Sequence, residues 1–270
     1  VIEDTENDRS VTLICNGEIY NHKDLAEEHG FMPISGSDCE MIGHMYLKCG
    51  LEETVKSLDG VFAFVLHDSK DDTFHAARDP FGVRSLYYGQ TNAQDTVFAS
   101  EVKSIVELCD KPNTFPPGCF WSSTEGRETT RYYNYKYPEQ TGVSESVLSK
   151  QTYQALNDAV KKRLMSEREI GCFLSGGLDS SIITALVASH YEDKRKLHTF
   201  AIGLEGSTDV VGAKLVADFL GTTHHEVIVS KEDMIGAMED VIRITESFDT
   251  TTIRASTPMY LLSKWISENT

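Results

Sequence analysis

The chain has 270 residues, 40% of them hydrophobic and 25% charged, which suits one large or two ordinary domains with buried cores. A formal net charge of -17 argues against a nucleic-acid platform, which needs clustered Lys and Arg; any anionic ligand must be held by local N–H groups, cationic side chains or a metal ion. The six cysteines include no C-x-x-C pair, which argues against a zinc ribbon or a thioredoxin-type site.

With no signal peptide in evidence, the cysteines read as reduced residues of a cytoplasmic protein. Residues 61–66 form a conspicuous apolar run that is far too short to cross a bilayer, so no membrane association is expected.

The first half reads as short strands with turns. Strands are predicted at 11–15, 61–66, 74–77, 86–88 and 97–99, and helices at 38–48 and 101–108. Asn16-Gly17-Glu18-Ile19-Tyr20-Asn21-His22 directly follows the first strand, and Asn-Gly by itself signals a turn. Ser37 is the predicted cap of the 38–48 helix, with Glu40 as its capping-box partner. Cys15 is expected to be buried packing. The tyrosines of 131–137 are expected to pack on a surface rather than stack on bases. The pattern is antiparallel α+β. Polar residues 139–146 read as a linker, with a domain boundary near residue 142.

The second half alternates helix and strand. Helices are predicted at 147–165, 178–190, 210–219 and 232–245, and strands at 170–174, 197–203 and 225–229. That order implies a parallel sheet, whose ligands bind at the carboxyl ends of the strands. Asp209 is expected to cap a helix, His224 and His225 to begin a strand, and residues 194–196 to form a solvated turn. Ser256 is the expected cap of a final helix with Pro258 in its first turn, after a polar stretch at 248–255.

Ser175-Gly176-Gly177-Leu178-Asp179-Ser180-Ser181 sits between a predicted strand and a predicted helix. Two glycines free the backbone to turn tightly, and the helix N-terminus behind them presents bare N–H groups that suit a phosphate. The dipole adds only about 0.3–2 kcal/mol, so the serine hydroxyls must supply geometry as well. An Asp beside an anion makes sense if it holds magnesium. Neither G-x-x-x-x-G-K-[ST] nor G-x-G-x-x-G occurs, which excludes the common nucleotide loops.

This segment resembles the pyrophosphate loop of ATP-adenylating enzymes. The segment from Asn16 to His22, Ser35-Gly36-Ser37-Asp38-Cys39-Glu40 and the segment from Ala77 to Tyr88 together resemble the N-terminal-nucleophile glutaminase domain of asparagine synthetases. The block from Phe248 to Tyr260, which contains Thr251-Thr252-Ile253-Arg254, is similar to a segment of the same family's synthetase domain.

The resemblance implies an α+β glutaminase-like domain over 1–142, lacking its start. It implies a second α/β domain over 143–270, of the adenine-nucleotide α-hydrolase type and cut short at its C-terminus. Glutamine would be bound by Asn16, Gly17, Glu18 and Asp38. ATP and pyrophosphate would be bound by Leu174, Ser175, Gly176, Gly177, Asp179, Ser180 and Ile202, with Mg²⁺ on Asp179. Thr251, Thr252 and Arg254 would line the pocket for aspartate and its activated intermediate.

The implied reaction is ATP-dependent amidation of aspartate with ammonia from glutamine, in an enzyme that acts on small molecules and could form a homodimer. The family's nucleophile is a cysteine at the mature N-terminus. Residue 1 is Val and both Cys15 and Cys39 are internal, so the catalytic group is unknown from this sequence and a fragment is expected. A β-lactam-forming synthetase and a glutaminase-dead, ammonia-dependent or regulatory homologue are the rivals. The intact Asn-Gly-Glu and Thr-Thr-Ile-Arg segments weigh against the first.

Overall fold

A computed structural model describes residues 1–4, 9–126, 128–137 and 142–270, and the chain divides into two units, Val1–Glu139 and Gln140–Thr270. Residues 139–141 of the expected linker lie outside the described residues.

The first unit contains β1 (Ile2–Asp4), β2 (Arg9–Ile19), α1 (His22–His29), α2 (Glu40–Ser57), β3 (Gly60–Asp68), β4 (Thr73–Arg78), β5 (Tyr87–Gln90), β6 (Thr96–Ala99), β7 (Asn113–Thr114), β8 (Cys119–Ser122) and β9 (Thr130–Arg131). One antiparallel sheet has the order β1-β2-β3-β4-β8-β9, and a second has the order β6-β5-β7. β3 is apolar at consecutive positions because both of its faces are covered. Phe62, Phe64 and Leu66 join Met41, Ile42 and Val55 of α2 in one core, while Ala63 and Val65 pack in another core with Leu86, Phe115 and Trp121. Truncating a ring as buried as Phe64 to Ala costs about 3–5 kcal/mol.

Several expectations change here. Asn16-Gly17-Glu18 does not turn; it continues β2, with Gly17 opposite Phe62. A Cβ on Gly17 would fall 2.3 Å from the Val61 carbonyl oxygen, so this glycine serves close strand approach. Ser37 does not cap α2: Cys39 holds the cap position, and Glu40 accepts from Ile34 N–H and Ser35 N–H at 2.8 and 2.7 Å. The predicted 101–108 helix shrinks to a 3₁₀ turn, Val102–Ser104. The tyrosines pack as expected, with Tyr132 donating to the Arg78 carbonyl at 2.9 Å and Tyr133 and Tyr135 against Phe81.

The second unit runs α3 (Glu145–Arg163), β10 (Gly171–Phe173), α4 (Leu178–Ser189), β11 (His198–Gly203), α5 (Thr208–Leu220), β12 (Thr223–Ile228), α6 (Lys231–Gly236), α7 (Met238–Thr245) and α8 (Thr250–Asn269). β10, β11 and β12 form a parallel sheet in that order, as the alternation predicts. Leu174 and Ala201 pack with Ala213 and Ala217 of α5, while Phe200, Ile202 and Val227 pack with Leu262 and Trp265 of α8. The helices therefore sandwich the sheet.

The predicted 232–245 helix breaks at Ala237. Ser207, not Asp209, stands at the α5 cap position, and Asp209 lies in the first turn. The polar stretch before Ser256 is already helical: Asp249 caps α8 by accepting from Thr252 N–H at 2.7 Å. Pro258 is consequently inside the helix, where it cannot donate to the Arg254 carbonyl. Among the described residues no helix is long and apolar enough to cross a membrane.

Candidate functional site

In the first unit, backbone direction along β2 follows from its register. Tyr20 N–H donates to the Asp59 carbonyl at 2.7 Å, and Ser69 N–H donates to the Ser10 carbonyl at 2.9 Å. Even-numbered residues of β2 thus bond toward β3, and odd-numbered ones turn their N–H and C=O groups the other way. The Asp38 carboxylate accepts from Ile19 N–H on that outer edge, and the Cys39 thiol donates to the Gly17 carbonyl at 3.6 Å. The Gly17 N–H is turned to the same side.

A pocket of about 800 Å³ lies along this edge, walled by Leu13, Cys15, Gly17, Asp38, Cys39 and His44. Its rim is fixed by Glu40. Burial would raise that carboxyl, but bonds from the Ser35 hydroxyl, Ile34 N–H, the His44 ring and Ser35 N–H outweigh burial and bring it to about 2.

The four expected glutamine residues do not share one pocket. Gly17 and Asp38 line the larger one. Asn16 alternates to the other face of β2, where it lines a shallow pocket of about 210 Å³ with Leu86, Phe98 and Ser100. Glu18 pairs with Arg84 at 3.5 Å. The two sets are joined by the β2 backbone.

Arg84 was not singled out from sequence as a site residue. Its loop is held by Asp79, whose carboxylate accepts from Phe81, Val83 and Arg84 N–H groups, each at 3.0 Å. Arg78 spans the same loop, donating to the Arg84 and Gly82 carbonyls at 2.6 and 2.9 Å. The Arg-Asp pair at the head of that segment was the available signal. Cys15 is half-buried and lines the pocket, so it is more than core packing.

In the second unit, β10 ends in the glycine corner. Leu174 N–H donates to the Phe200 carbonyl at 2.8 Å, which anchors the chain just before it turns. Gly176 has φ +76, and Gly177 stands at the cap position of α4. The Ser175 and Ser180 hydroxyls lie 3.0 Å apart, and the Ser181 hydroxyl donates to the Gly177 carbonyl at 2.7 Å. Ser181 N–H makes the first helical bond, to Gly177 at 3.0 Å. The N–H groups of Leu178, Asp179 and Ser180 therefore precede the helical ladder, the arrangement that binds anions.

Asp179 is exposed and makes no ion pair among the described residues, so its carboxylate is available to a cation. Among the described residues no group of three His, Cys, Asp or Glu side chains could hold a metal. The corner fits an ion that takes one carboxylate plus phosphate oxygens and water, which is magnesium's habit.

Leu174 is 1% exposed, its side chain committed to the α5 face. Its side chain is therefore core, which leaves its backbone groups at the strand end for the expected nucleotide contact. Ile202, half-buried, packs on the opposite face toward α8. The Thr252 hydroxyl donates to Asp249 at 2.9 Å, while Thr251 and Arg254 are exposed one turn apart on α8. Among the described residues no hydrogen bond or ion pair joins these three to the glycine corner.

Comparison with known proteins fits both units. The glutamine amidotransferase domain model matches residues 2–107, and the asparagine synthase model matches residues 151–270. Glutamine-hydrolyzing asparagine synthetase 2 of Oryza sativa subsp. japonica is 44% identical over 269 residues, covering 96% of this chain and 45% of that protein. Glutamine-hydrolyzing asparagine synthetase of Sandersonia aurantiaca is 43% identical over 269 residues, covering 96% of this chain and 50% of that protein. A solved structure of the allosteric regulatory enzyme of purine biosynthesis is 17% identical with a TM-score of 0.41, covering 83% of this chain and 61% of that one.

The chain thus joins an amidotransferase domain to a synthase domain. It belongs to the glutamine-hydrolysing asparagine synthetase family. It spans about half the length of the curated relatives it matches.

Proposed function

We propose that the protein containing this chain makes asparagine, amidating aspartate at the expense of ATP with ammonia released from glutamine. The observation that carries the reading is the presence in one chain of a strand-edge pocket walled by Gly17 and Asp38 and of an anion-type corner at Ser175–Ser180. We take 1–142 as the glutaminase domain and 143–270 as the start of an ATP-pyrophosphatase domain of the adenine-nucleotide α-hydrolase type. Six free cysteines support a reducing, cytoplasmic setting.

In the first domain, the Gly17 N–H, turned to the pocket side of β2, supplies a donor for the oxygen of the glutamine side-chain amide as it gains charge, while Asn16 acts from the other face of the strand by holding the β2 edge in place. The carboxylate of Asp38 suits the substrate ammonium in that pocket, and Glu18, paired with Arg84, steadies the neighbouring strand. In the second domain, the side-chain carboxylate of aspartate attacks the α-phosphorus of ATP. The bond to the departing pyrophosphate breaks, and β-aspartyl-AMP forms. Ammonia then attacks the acyl carbon and AMP leaves.

Ser175, Gly176, Gly177 and Ser180 hold the pyrophosphate, through hydroxyls and N–H groups that need not reorganise as charge moves. Magnesium held by Asp179 and phosphate oxygens would supply charge neutralisation. Backbone groups at Leu174 and Ile202 face the nucleoside. Thr251, Thr252 and Arg254 hold aspartate and its intermediate, Arg254 by forked bonds to carboxylate or phosphate.

The test is product analysis of the full-length protein with ATP, aspartate and glutamine. Asparagine, glutamate, AMP and pyrophosphate are expected. ADP and orthophosphate, or no nucleotide consumption, would overturn the reading.

A further inference from the structure

Two thiols share the wall of the β2 pocket. Cys15 lies on the face of β2 that turns to the pocket, two residues before Gly17, and Cys39 occupies the cap position of α2 beside Asp38. The Cys39 thiol reaches the Gly17 carbonyl at 3.6 Å. Both thiols border the same pocket, and each acts on the other chiefly by hydrogen bonding, raising the Cys15 thiol and lowering the Cys39 thiol. Burial, Asp38 and Glu18 oppose the fall at Cys39, and Ser37 supports it. Both residues are half-buried, and the pocket of about 800 Å³ gives a small reagent a way in.

We propose that Cys15 and Cys39 are a dithiol that closes reversibly into a disulfide, and that closure disables the pocket for glutamine. The second clause rests on the assignment of this pocket to glutamine; the first does not. The oxidant is a low-molecular-weight disulfide. The Cys39 thiolate attacks one of its sulfurs, and its S–S bond breaks, expelling one thiolate that takes up the proton Cys39 lost. Cys15 then deprotonates and attacks the Cys39 sulfur of the mixed disulfide. The second small thiolate leaves and is protonated. One small disulfide is reduced to two thiols, and two protein thiols are oxidised.

Closure has a consequence because of its neighbours. A disulfide holds its sulfurs about 2.05 Å apart, far inside the contact distance of two thiols. The pull acts on the start of α2 and on β2, which carry Asp38 and Gly17. A misplacement of about 1 Å in such groups can cost a site as much as 10²-fold.

The experiment treats full-length protein with oxidised glutathione, traps free thiols with an alkylating agent, and maps the peptides by mass spectrometry. A Cys15–Cys39 link that disappears with dithiothreitol is expected, and Cys15→Ser or Cys39→Ser should remove it. Absence of that link in wild-type protein, under conditions that oxidise the exposed Cys49, overturns the proposal without relying on any variant's folding. Glutamine binding is then measured by calorimetry in both states. Reduced protein should bind, and oxidised protein should bind at least about tenfold more weakly. Equal binding in both states refutes the disabling clause. If reduced protein fails to bind glutamine, the pocket's assignment falls, and the disabling clause falls with it, while the link stands or falls by mapping alone.

Discussion

Gly176 of the corner rests on the backbone of Gly212 in α5: a Cβ built on Gly176 would fall 2.5 Å from the Gly212 carbonyl carbon and 2.5 Å from the Ala213 nitrogen. The relation is one-sided. A Cβ on Gly212 meets Gly176 Cα at 3.5 Å, an ordinary contact. Gly176→Ala is expected to cost at least about 2 kcal/mol, from left-handed backbone and overpacking together. Gly212→Ala, in a helix interior, should change stability by no more than about 1 kcal/mol. Urea unfolding of the two variants decides; equal losses would sink the packing argument.

That asymmetry shows what a sequence can and cannot carry. The doubled glycine between an apolar run and a helical pattern was legible as a corner, because the backbone freedom is local. What Gly176 touches was not, since Gly212 lies 36 positions away and only the parallel register brings it near. β3 was legible as a continuous apolar run because both of its faces are buried. β2 was cut short at Asn16 because Asn-Gly reads locally as a turn, whereas the pairing of Gly17 with Phe62 carries the strand through. Helix ends failed for a related reason. Ser256 before Pro258 reads as the cap of the last helix, whereas Asp249 caps it earlier by accepting from Thr252 N–H, and the turn it adds buries Ile253. Leu174 reads as a ligand residue from its place in a motif, though its side chain is core.

Asp38 joins structure and substrate, and two substitutions separate them. Asp38→Asn can keep the bond from Ile19 N–H through its side-chain oxygen but loses the charge facing the pocket. The KM for glutamine should rise by roughly 10- to 100-fold, as loss of a charged hydrogen bond predicts, while ammonia-dependent synthesis stays unchanged. Asp38→Ala should add a stability loss of about 1–3 kcal/mol by orphaning the Ile19 N–H. Steady-state kinetics with each nitrogen donor provide the check. An unchanged glutamine KM in Asp38→Asn would remove Asp38 from the substrate.

Stability of the first unit should fall in acid in two stages, through one buried network. Tyr46 donates to Asp68 at 2.9 Å, so the His75 Nε2–H donates to the Tyr46 oxygen, also at 2.9 Å. His75 Nδ1 is buried without a partner among the described residues, so a proton added there would find no acceptor, which favours the neutral ring. Burial lowers His75, so its contribution is present above about pH 6.5 and is lost as pH falls below that. Burial would raise Asp68, but Arg9, the Lys70 N–H and Tyr46 outweigh it and bring it to about 2. Its contribution is present above the unfolded value near ~3.9 and is lost as pH falls from there toward 2. Burial and the bond to Asp68 raise Tyr46 to about 12, so a further loss is expected as pH rises from about 10 to 12. Asp68→Asn should flatten only the lowest stage. Urea midpoints across pH provide the test, and an unaltered acid limb in that variant would exclude Asp68 as its source.

Asp179 separates the two chemistries most cleanly. It is exposed in the first turn of α4 and makes no ion pair among the described residues, so its loss should leave folding within about 0.5 kcal/mol. As the proposed holder of magnesium beside the pyrophosphate, it acts where charge changes in the transition state. Asp179→Ala should therefore lower pyrophosphate release from ATP and aspartate by at least about 10²-fold, the size seen when one such group is removed. Glutamine hydrolysis in the full-length protein should continue. Asp179→Asn should fail as badly as Ala, because a neutral amide keeps the shape but not the charge a hard cation needs. A pyrophosphate assay beside a glutamate assay reads both outcomes. Pyrophosphate release that survives in Asp179→Asn would mean that Asp179 shapes the helix start and that the cation is held elsewhere.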